Sequence, residues 1–519
     1  MKSFVRNGLA AAIAVSAASL LGAQGAKVAA GVDVYAESDT PELGVKKELF
    51  TGKRFETGAP VKYSTYLMKG TDVKNAPVFL MMEYDENRTI SVMEDCAKEG
   101  LIPPGLIVFM TNESLRPTVK GGFTRYMRGT LFAPVGREFP DMLVEELLPY
   151  AAAKSGVTIS PDPDMHFVSG SSAGGGATLN IAWYRNDYFR RAYAASPVVD
   201  ASFVQFVRMM EAKPFRIYIT TGDCEPDRIG GDLFFSNFAL RSSFDYAGYP
   251  CMLEYFPKGG HNAGKGNPDT MRRIFGFTWE GWKEGKKVEP PRNPIRVAEL
   301  VAGSGWAEVQ AAVPPKRTVR AAGGEYSADG GRIVFKDSQG TCRTVADGFG
   351  RVEGISLSSD LWRLYAVDST RRCIFAMTVS PDGSLGYPFR HVDIMLHPNT
   401  RRLGASDILT LENDRVLIAT ELGVQSAMSF GTLDVILPLP GDVPADRVWM
   451  DGKTLFASSG AKVFRRELQV AVSDGTKITE PNRAYYHVPG ENRNSGHLAQ
   501  FAPALEAVKS IVITNRIER

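Results

Sequence analysis

The stretch Met165–Asn180, MHFVSGSSAGGGATLN, decides how the first half of the chain folds. A short apolar run stops at Gly170-Ser171-Ser172-Ala173-Gly174 and passes at once into a small-residue pattern of helical period. Gly-x-Ser-x-Gly alone is a weak motif, because its three fixed residues are common ones. Its surroundings sharpen it. A strand before and a helix after place a serine on a tight, strained turn whose flanking glycines let strand and helix approach. The frame of the motif makes Ser172, and not Ser171, the candidate nucleophile.

Outward from this point, the chain from Val61 to Trp282 alternates apolar runs with helical patterns: PVFLMMEYD with TISVMEDCAKEG, GLIVFMTN with DMLVEELLPYAAAKSG, and MHFVSG with AGGGATLNIAWYRND. FRIYITTGD, FFSNFALRSSFDYAGY, CMLEYFPKGGH and PDTMRRIFGFTWEGW continue the alternation. Strands alternating with helices imply an α/β domain, a mostly parallel sheet with helices on both faces. EGKKVEPPRNPIRVAELVAGSG then brings charge and proline without a clear period and reads as a linker. From Arg320 onward the helical signals vanish, and short strand-like runs recur between Asp, Gly and Ser turns. Three segments of this kind open on Glu353, Asp407 and Asp446, roughly 40 to 54 residues apart, the range of propeller blades. The expected organisation is a signal peptide over 1–26, a lead-in over 27–60, an α/β domain over 61–285, a linker over 286–318 and an all-β domain over 319–519. A β-propeller is the expected form of the last, with a β-sandwich as the alternative.

The 519 residues, 44% hydrophobic and 23% charged, are globular in composition and too many for one ordinary core, which supports two domains. A formal charge of +2 and no basic run of five or more residues give no reason to invoke nucleic acid or an anionic membrane. At the N-terminus, Lys2 and Arg6 precede an apolar stretch from Leu9 to Leu21 and small residues at Ala23, Gly25 and Ala26. This pattern is that of a bacterial-type secretory signal, so the expected location is secreted or periplasmic. No segment has the length and apolarity of a membrane span. The 5 cysteines allow at most two bridges. Cys224 and Cys251 fall near strand ends in one domain and are a candidate pair, with buried free thiols as the other reading.

A serine hydroxyl is a weak nucleophile, so hydrolysis by Ser172 needs a base in hydrogen-bond reach, an acid to orient the base, and N–H donors for the oxyanion. Of the 6 histidines, His166 and His261 lie in the α/β region. His166 sits within the strand leading to the turn and is expected to be a core residue. His261, in the glycine-rich KGGHNAG after a strand, stands where the order serine, acid, histidine requires the base. The acid should lie between them on a loop after a strand, and Asp223, Glu225, Asp227 and Asp232 all qualify by type.

These residues resemble the esterase D, enterochelin-esterase and feruloyl-esterase-like α/β hydrolases fused to a gluconolactonase-like propeller. The resemblance runs from about Pro77 to Trp282, through the elbow region, GGDLFFSNFALRSSFDYAGY and KGGHNAGKGNPDTMRRIFGFTWEGW. It implies a secreted serine esterase acting on acylated carbohydrates or phenolic, feruloyl-type esters, with Ser172 and His261 catalytic and no cofactor. The family's acid, set seven residues before the Asp of a Gly-Asp step, falls on Glu225, a Glu-for-Asp departure, with Asp223 as the fallback. In LMMEYDENR, where relatives carry a Gln-Asp-Gly step, the oxyanion donors are expected to be the backbone N–H groups of Ala173 and Tyr84, and a bulkier side chain narrows the acyl pocket.

The last domain resembles gluconolactonase and senescence-marker propellers, whose repeats supply metal-binding Asn and Asp. Here those positions hold Glu353 and Asp407, and no early ligand motif is recognisable around Glu325. A hard divalent ion wants several converging oxygens. A structural or sugar-binding propeller is therefore favoured over a metal-dependent sugar lactonase. A relic hydrolase domain in a sugar-binding protein is the third reading.

Overall fold

The structure is a computed structural model, and it describes residues 32–34, 47–53, 60–111, 114–117, 125–228, 231–397 and 404–475. The expected signal peptide and most of the lead-in lie outside the described residues, as does 476–519 of the expected all-β domain. The described residues divide into two compact units. One holds those up to 198 together with 214–237 and 252–288, and the other holds 199–213, 238–251 and those from 289 onward.

The first unit is built on an eight-stranded sheet. Its strands are β1 (Lys47–Thr51), β2 (Pro60–Leu67), β3 (Val78–Met82), β4 (Leu106–Thr111), β5 (His166–Ser171), β6 (Arg191–Ala195), β7 (Arg216–Cys224) and β8 (Cys251–Gly260). Their order across the sheet is β8-β7-β6-β5-β3-β4-β2-β1. The run from β4 through β3, β5 and β6 to β7 is parallel. β2 pairs antiparallel with both β4 and β1, so the sheet is mixed.

All residues of β3 and β5 are buried, which is why these strands read as continuous apolar runs. Phe79, Met81, Phe109, Phe167 and Tyr218 of the sheet share one core with Met93 of helix α1 (Glu86–Lys98) and with Met271, Ile274 and Phe275 of helix α3 (Pro268–Thr278). Helix α2 (Ala173–Tyr184) packs on β5 and β6. The Asp85 carboxylate accepts from Arg88 N at the start of α1, and Asn267 caps α3, with Pro268 at its first turn. At the N-terminal edge of the sheet, buried Arg191 donates to the carbonyls of Asp164 (2.7 Å) and Thr278 and lies 4.8 Å from the Trp279 ring. Asp164 in turn accepts from Arg190 at 3.1 Å and from Val288 N at 2.9 Å.

The second unit contains four antiparallel four-stranded sheets. Strands Val319–Ala321, Gly324–Asp329, Arg332–Lys336 and Cys342–Ala346 form one, and Val352–Leu357, Arg363–Asp368, Cys373–Thr378 and Phe389–Asp393 the next. Asp407–Thr410, Val416–Thr420, Gly423–Ala427 and Leu433–Leu437 form the third. In the fourth, Arg447–Asp451, Thr454–Ser459 and Lys462–Leu468 are joined by Val301–Val309. The three acidic openings of the sequence repeats thus fall on three consecutive sheets: Glu353 and Asp407 in first strands, Asp446 just before one.

Two boundaries differ from the sequence expectation. Residues 286–318 are not simply a linker, since they contain a helix (Ile295–Leu300) with Val297 and Leu300 fully buried and a strand that completes a sheet. Isolated from its distant partner Lys462–Leu468, that strand has no alternating pattern to betray it. The stretches 199–213 and 238–251 belong with the second unit: Arg466, at 0% side-chain exposure, holds Glu211 through two bonds of 2.9 and 3.0 Å. Cys224 and Cys251 are unpaired. Among the described residues, no helix is long and apolar enough to cross a membrane.

Candidate active site

Ser172 stands at the C-terminal end of β5 with φ 57° and ψ −119°, backbone angles that an L-residue adopts at a cost of about 1–3 kcal/mol. The surroundings hold it there. Its N–H donates to Ala195 O at 2.8 Å, and its carbonyl accepts from Val198 N at 2.9 Å and Gly176 N at 3.1 Å. The glycines are steric requirements. A Cβ on Gly170 would stand 2.3 Å from Gly174 O, and one on Gly176 would stand 2.3 Å from Val198 O. The turn delivers the Ser172 side chain to the N-terminus of α2, where unpaired backbone N–H groups favour negative charge.

The two other expected residues, Glu225 and His261, follow the ends of β7 and β8. These strand ends touch, since a Cβ on Gly222 would lie 2.1 Å from Gly259 O. Past them, Glu225 Oε2 stands 2.6 Å from His261 Nδ1, with the Glu225 side chain fully buried. Glu225 Oε1 lies 3.4 Å from both Thr221 Oγ1 and Gly222 N, and Thr221 Oγ1 accepts from Asn237 Nδ2 at 3.1 Å. The loop carrying the histidine is anchored just past the end of β6 by a 2.9 Å bond from Asn262 N to Ser196 Oγ. With Nδ1 on the carboxylate, Nε2 is the basic atom. It is buried and makes no hydrogen bond among the described residues, so the bond to Ser172 Oγ is not formed here. Such catalytic bonds often close only around substrate.

The sequence alternatives part company in space. Asp223 accepts from Tyr255 Oη at 2.8 Å, and Asp232 caps the helix Leu233–Tyr246 through Phe234 N at 2.8 Å. The Asp227 side chain lies outside the described residues. His166 is a core residue at the opposite end of β5: its Nδ1 is 3.0 Å from Tyr188 O, its ring stacks on Tyr188, and burial pushes its pKa down to about 4.

On the other side of the serine, Glu83 has φ 64°, and its N–H donates to Met110 O at 3.0 Å. The amide of Tyr84 follows. The Tyr84 ring turns inward, with Oη 2.6 Å from Ser169 Oγ, so it does not narrow the site. The Glu83 side chain instead lies against the elbow, its Oε2 3.1 Å from where a Cβ on Gly174 would stand. Its carboxylate pairs with Arg128 through bonds of 2.5 and 2.9 Å. Lys265 Nζ donates to Glu83 O and, at 2.7 Å, to Ser171 Oγ. Neither Arg128 nor Lys265 carries a sequence signal of its own, beyond the position of Lys265 four residues after His261. Trp183 of α2 is a core residue, edge-on to Phe215 at 6.1 Å.

In the second unit, the carboxylates at the expected ligand positions already have cationic partners. Glu353 lies 2.6 Å from both Lys316 Nζ and Arg351 Nε. Asp407 accepts from Arg447 Nε at 2.9 Å and from Val448 N at 3.2 Å. Arg317 donates to the carbonyls of Ile408 and Val448. Glu325 accepts from Thr318 Oγ1 at 2.6 Å. Among the described residues no three His, Cys, Asp or Glu side chains converge. This donor set does not fit a hard divalent cation.

Residues 80–275 match the Esterase family model. No curated protein matches the chain at a significant level. Among solved structures, the chain is similar to the enterochelin esterase of Shigella flexneri (16% identity, 47% of this chain and 60% of that one, TM-score 0.37). It is also similar to a ferulic acid esterase (18% identity, 45% of this chain and 98% of that one, TM-score 0.34). A gluconolactonase of Xanthomonas campestris is similar over 26% of this chain and 44% of its own, at 19% identity and a TM-score of 0.23. The chain thus spans about three-fifths of the enterochelin esterase's length.

Proposed function

We propose that this chain, whose residues 80–275 match an esterase family, is an exported serine esterase that cleaves carboxylic esters through an acyl-enzyme. One observation carries the reading: a serine strained on a strand-to-helix turn shares a sheet edge with a histidine whose Nδ1 lies 2.6 Å from a buried carboxylate. His261 Nε2 takes the proton of Ser172 Oγ as the oxygen attacks the ester carbonyl. Glu225 keeps the Nδ1–H bond and stabilises the imidazolium that forms. The N–H groups of Ala173 and Tyr84 receive the oxyanion, aided by the N-terminus of α2. His261 then protonates the leaving alcohol, and water repeats the cycle on the acyl-enzyme. The substrate class, acylated carbohydrates or phenolic esters of the feruloyl type, rests on the family resemblance.

The four sheets of the second unit are read as propeller blades, the fourth joined from both ends of the unit by Val301–Val309 and Lys462–Leu468. With Glu353 and Asp407 occupied by cationic side chains, a structural or sugar-binding role is favoured over a metal-dependent lactonase. The test uses a fluorophosphonate probe and a short-chain aryl ester, with Ser172→Ala and EDTA arms. Labelling and turnover that vanish in Ser172→Ala and survive EDTA are expected. A wild-type protein that neither labels nor turns over ester would overturn the esterase reading, and EDTA-sensitive lactone hydrolysis would restore the metal-dependent one.

A further inference from the structure

Lys265 Nζ meets two segments of the site, the carbonyl of Glu83 in the β3 loop and Ser171 Oγ beside the nucleophile, and lies 4.8 Å from the Tyr84 ring. It reaches them from a third, the loop of the base. The turns Ala263 N to Gly260 O and Lys265 N to Asn262 O, both 3.1 Å, fix its spacing from His261. A lysine serving only solubility would point to solvent, whereas this one is partly buried and directs its donors to the Glu83 carbonyl and Ser171 Oγ.

The choice of the Glu83 carbonyl has a geometric consequence. A trans peptide is planar, and its C=O and N–H point in opposite directions. Holding the oxygen of the Glu83–Tyr84 peptide toward Lys265 therefore holds the Tyr84 N–H away from it. Glu83 is a non-glycine residue at φ 64°, a conformation that needs outside support. Met110 O takes its N–H and Arg128 its carboxylate, which leaves its carbonyl as the handle that sets the peptide plane. An ammonium on that carbonyl also polarises the peptide and strengthens its N–H as a donor. The bond to Ser171 ties the same peptide to the elbow that carries the Ala173 N–H, so the two donors keep one separation. With Arg128 and Glu83, Lys265 leaves one net positive charge in this cluster. Burial lowers the Lys265 pKa while the Glu83 carboxylate opposes the fall.

We propose that Lys265 is a positioning residue for the oxyanion hole, orienting the Glu83–Tyr84 peptide so that the Tyr84 N–H faces the developing oxyanion. This rests on the esterase reading above. Losing one oxyanion donor typically lowers kcat about 10²–10³-fold, and a misdirected donor approaches the lower figure. Lys265→Met is expected to lower kcat on a short-chain aryl ester roughly 10²-fold with KM within about threefold. A boronic acid, which becomes a tetrahedral anion on the serine, should lose affinity by a similar factor, because it reports the same hole. Lys265→Arg, which keeps a charged donor for the carbonyl, should recover about tenfold of the loss. It also serves as the folded comparison if Lys265→Met does not fold, in which case Lys265→Gln, a neutral donor, should fall between Arg and Met. A folded Lys265→Met or Lys265→Gln with wild-type kcat and boronate affinity overturns the inference. So does a loss confined to KM, or an Arg variant no better than Met. Inactive wild-type protein would instead overturn the esterase reading itself, so the two failures are distinguishable.

Discussion

Replacing Glu225 with Gln removes one charge and almost no volume, so it isolates what the carboxylate does for His261. The heavy-atom separation is 2.6 Å, which puts the charge centres of carboxylate and imidazolium roughly 4 Å apart. At an effective dielectric near 20, that attraction is worth about 4 kcal/mol in the transition state, close to three decades in rate. The amide adds a second defect. Its NH2 group donates to Nδ1, so the proton moves to Nε2 and the imidazole no longer accepts one from Ser172. Together these predict a fall in kcat of roughly 10³–10⁴-fold with little change in KM. The assay is steady-state hydrolysis of an aryl ester near neutral pH, with Tm measured alongside to establish folding. Asp223→Asn is the control, because Asp223 is bound by Tyr255 and should retain activity within about threefold. A folded Glu225→Gln enzyme within tenfold of wild type, or an Asp223→Asn enzyme as impaired as Glu225→Gln should be, would refute the assignment of the acid.

Further outcomes follow for the buried groups of the first unit and for the second unit. His166 is held neutral, its pKa lowered by burial from 6.5 to about 4. Below pH 6.5 the unfolded chain takes up a proton that the folded chain refuses. Stability is therefore full above pH 6.5 and falls as pH drops toward 4, by about 3 kcal/mol. Denaturant melts at pH 7 and 5 should show about 2 kcal/mol of this loss, and His166→Phe should reduce it. Asp164→Ala removes the carboxylate 3.8 Å from the Arg191 guanidinium, which is 1% exposed, and takes away the acceptor of Arg190 and Val288 N, while the bonds of Arg191 to the Asp164 and Thr278 carbonyls remain. A destabilisation of about 3–5 kcal/mol is expected, read as a lower Tm of the first unit with unchanged kcat below the transition. In the second unit, EDTA should leave Tm unchanged. Arg317→Met should lower it, because the carbonyls of Ile408 and Val448 lose their shared donor.

Much of the first unit is legible along the chain because its information is local. PVFLMMEYD, GLIVFMTN and MHFVSG are nearly unbroken apolar runs, and β3 and β5 are buried throughout, as parallel strands covered on both faces must be. The elbow is equally readable, since its glycines are demanded by contacts within a few residues of Ser172 or with the next strand. The strand Val301–Val309 and the stretches 199–213 and 238–251 are not readable, because their partners lie far away in sequence. The repeat of the second unit shows only through the spacing of Glu353, Asp407 and Asp446, and each of the three maps to a separate sheet.

By itself, the sequence determined the alternation that makes an α/β sheet, the strained position of Ser172, and the order in which serine, acid and histidine follow along the chain. These depend on period, on glycine and on strand ends, which a chain carries locally. Only the tertiary structure shows which of Asp223 and Glu225 meets His261. The two carboxylates are two residues apart and alike in type, yet β7 ends at Cys224, sending one to Tyr255 and the other to His261. It also brought Lys265 and Arg128 to Glu83 from residues far apart in sequence. Which partner a charged side chain takes is settled by the folded surroundings of both groups, and no local pattern encodes that.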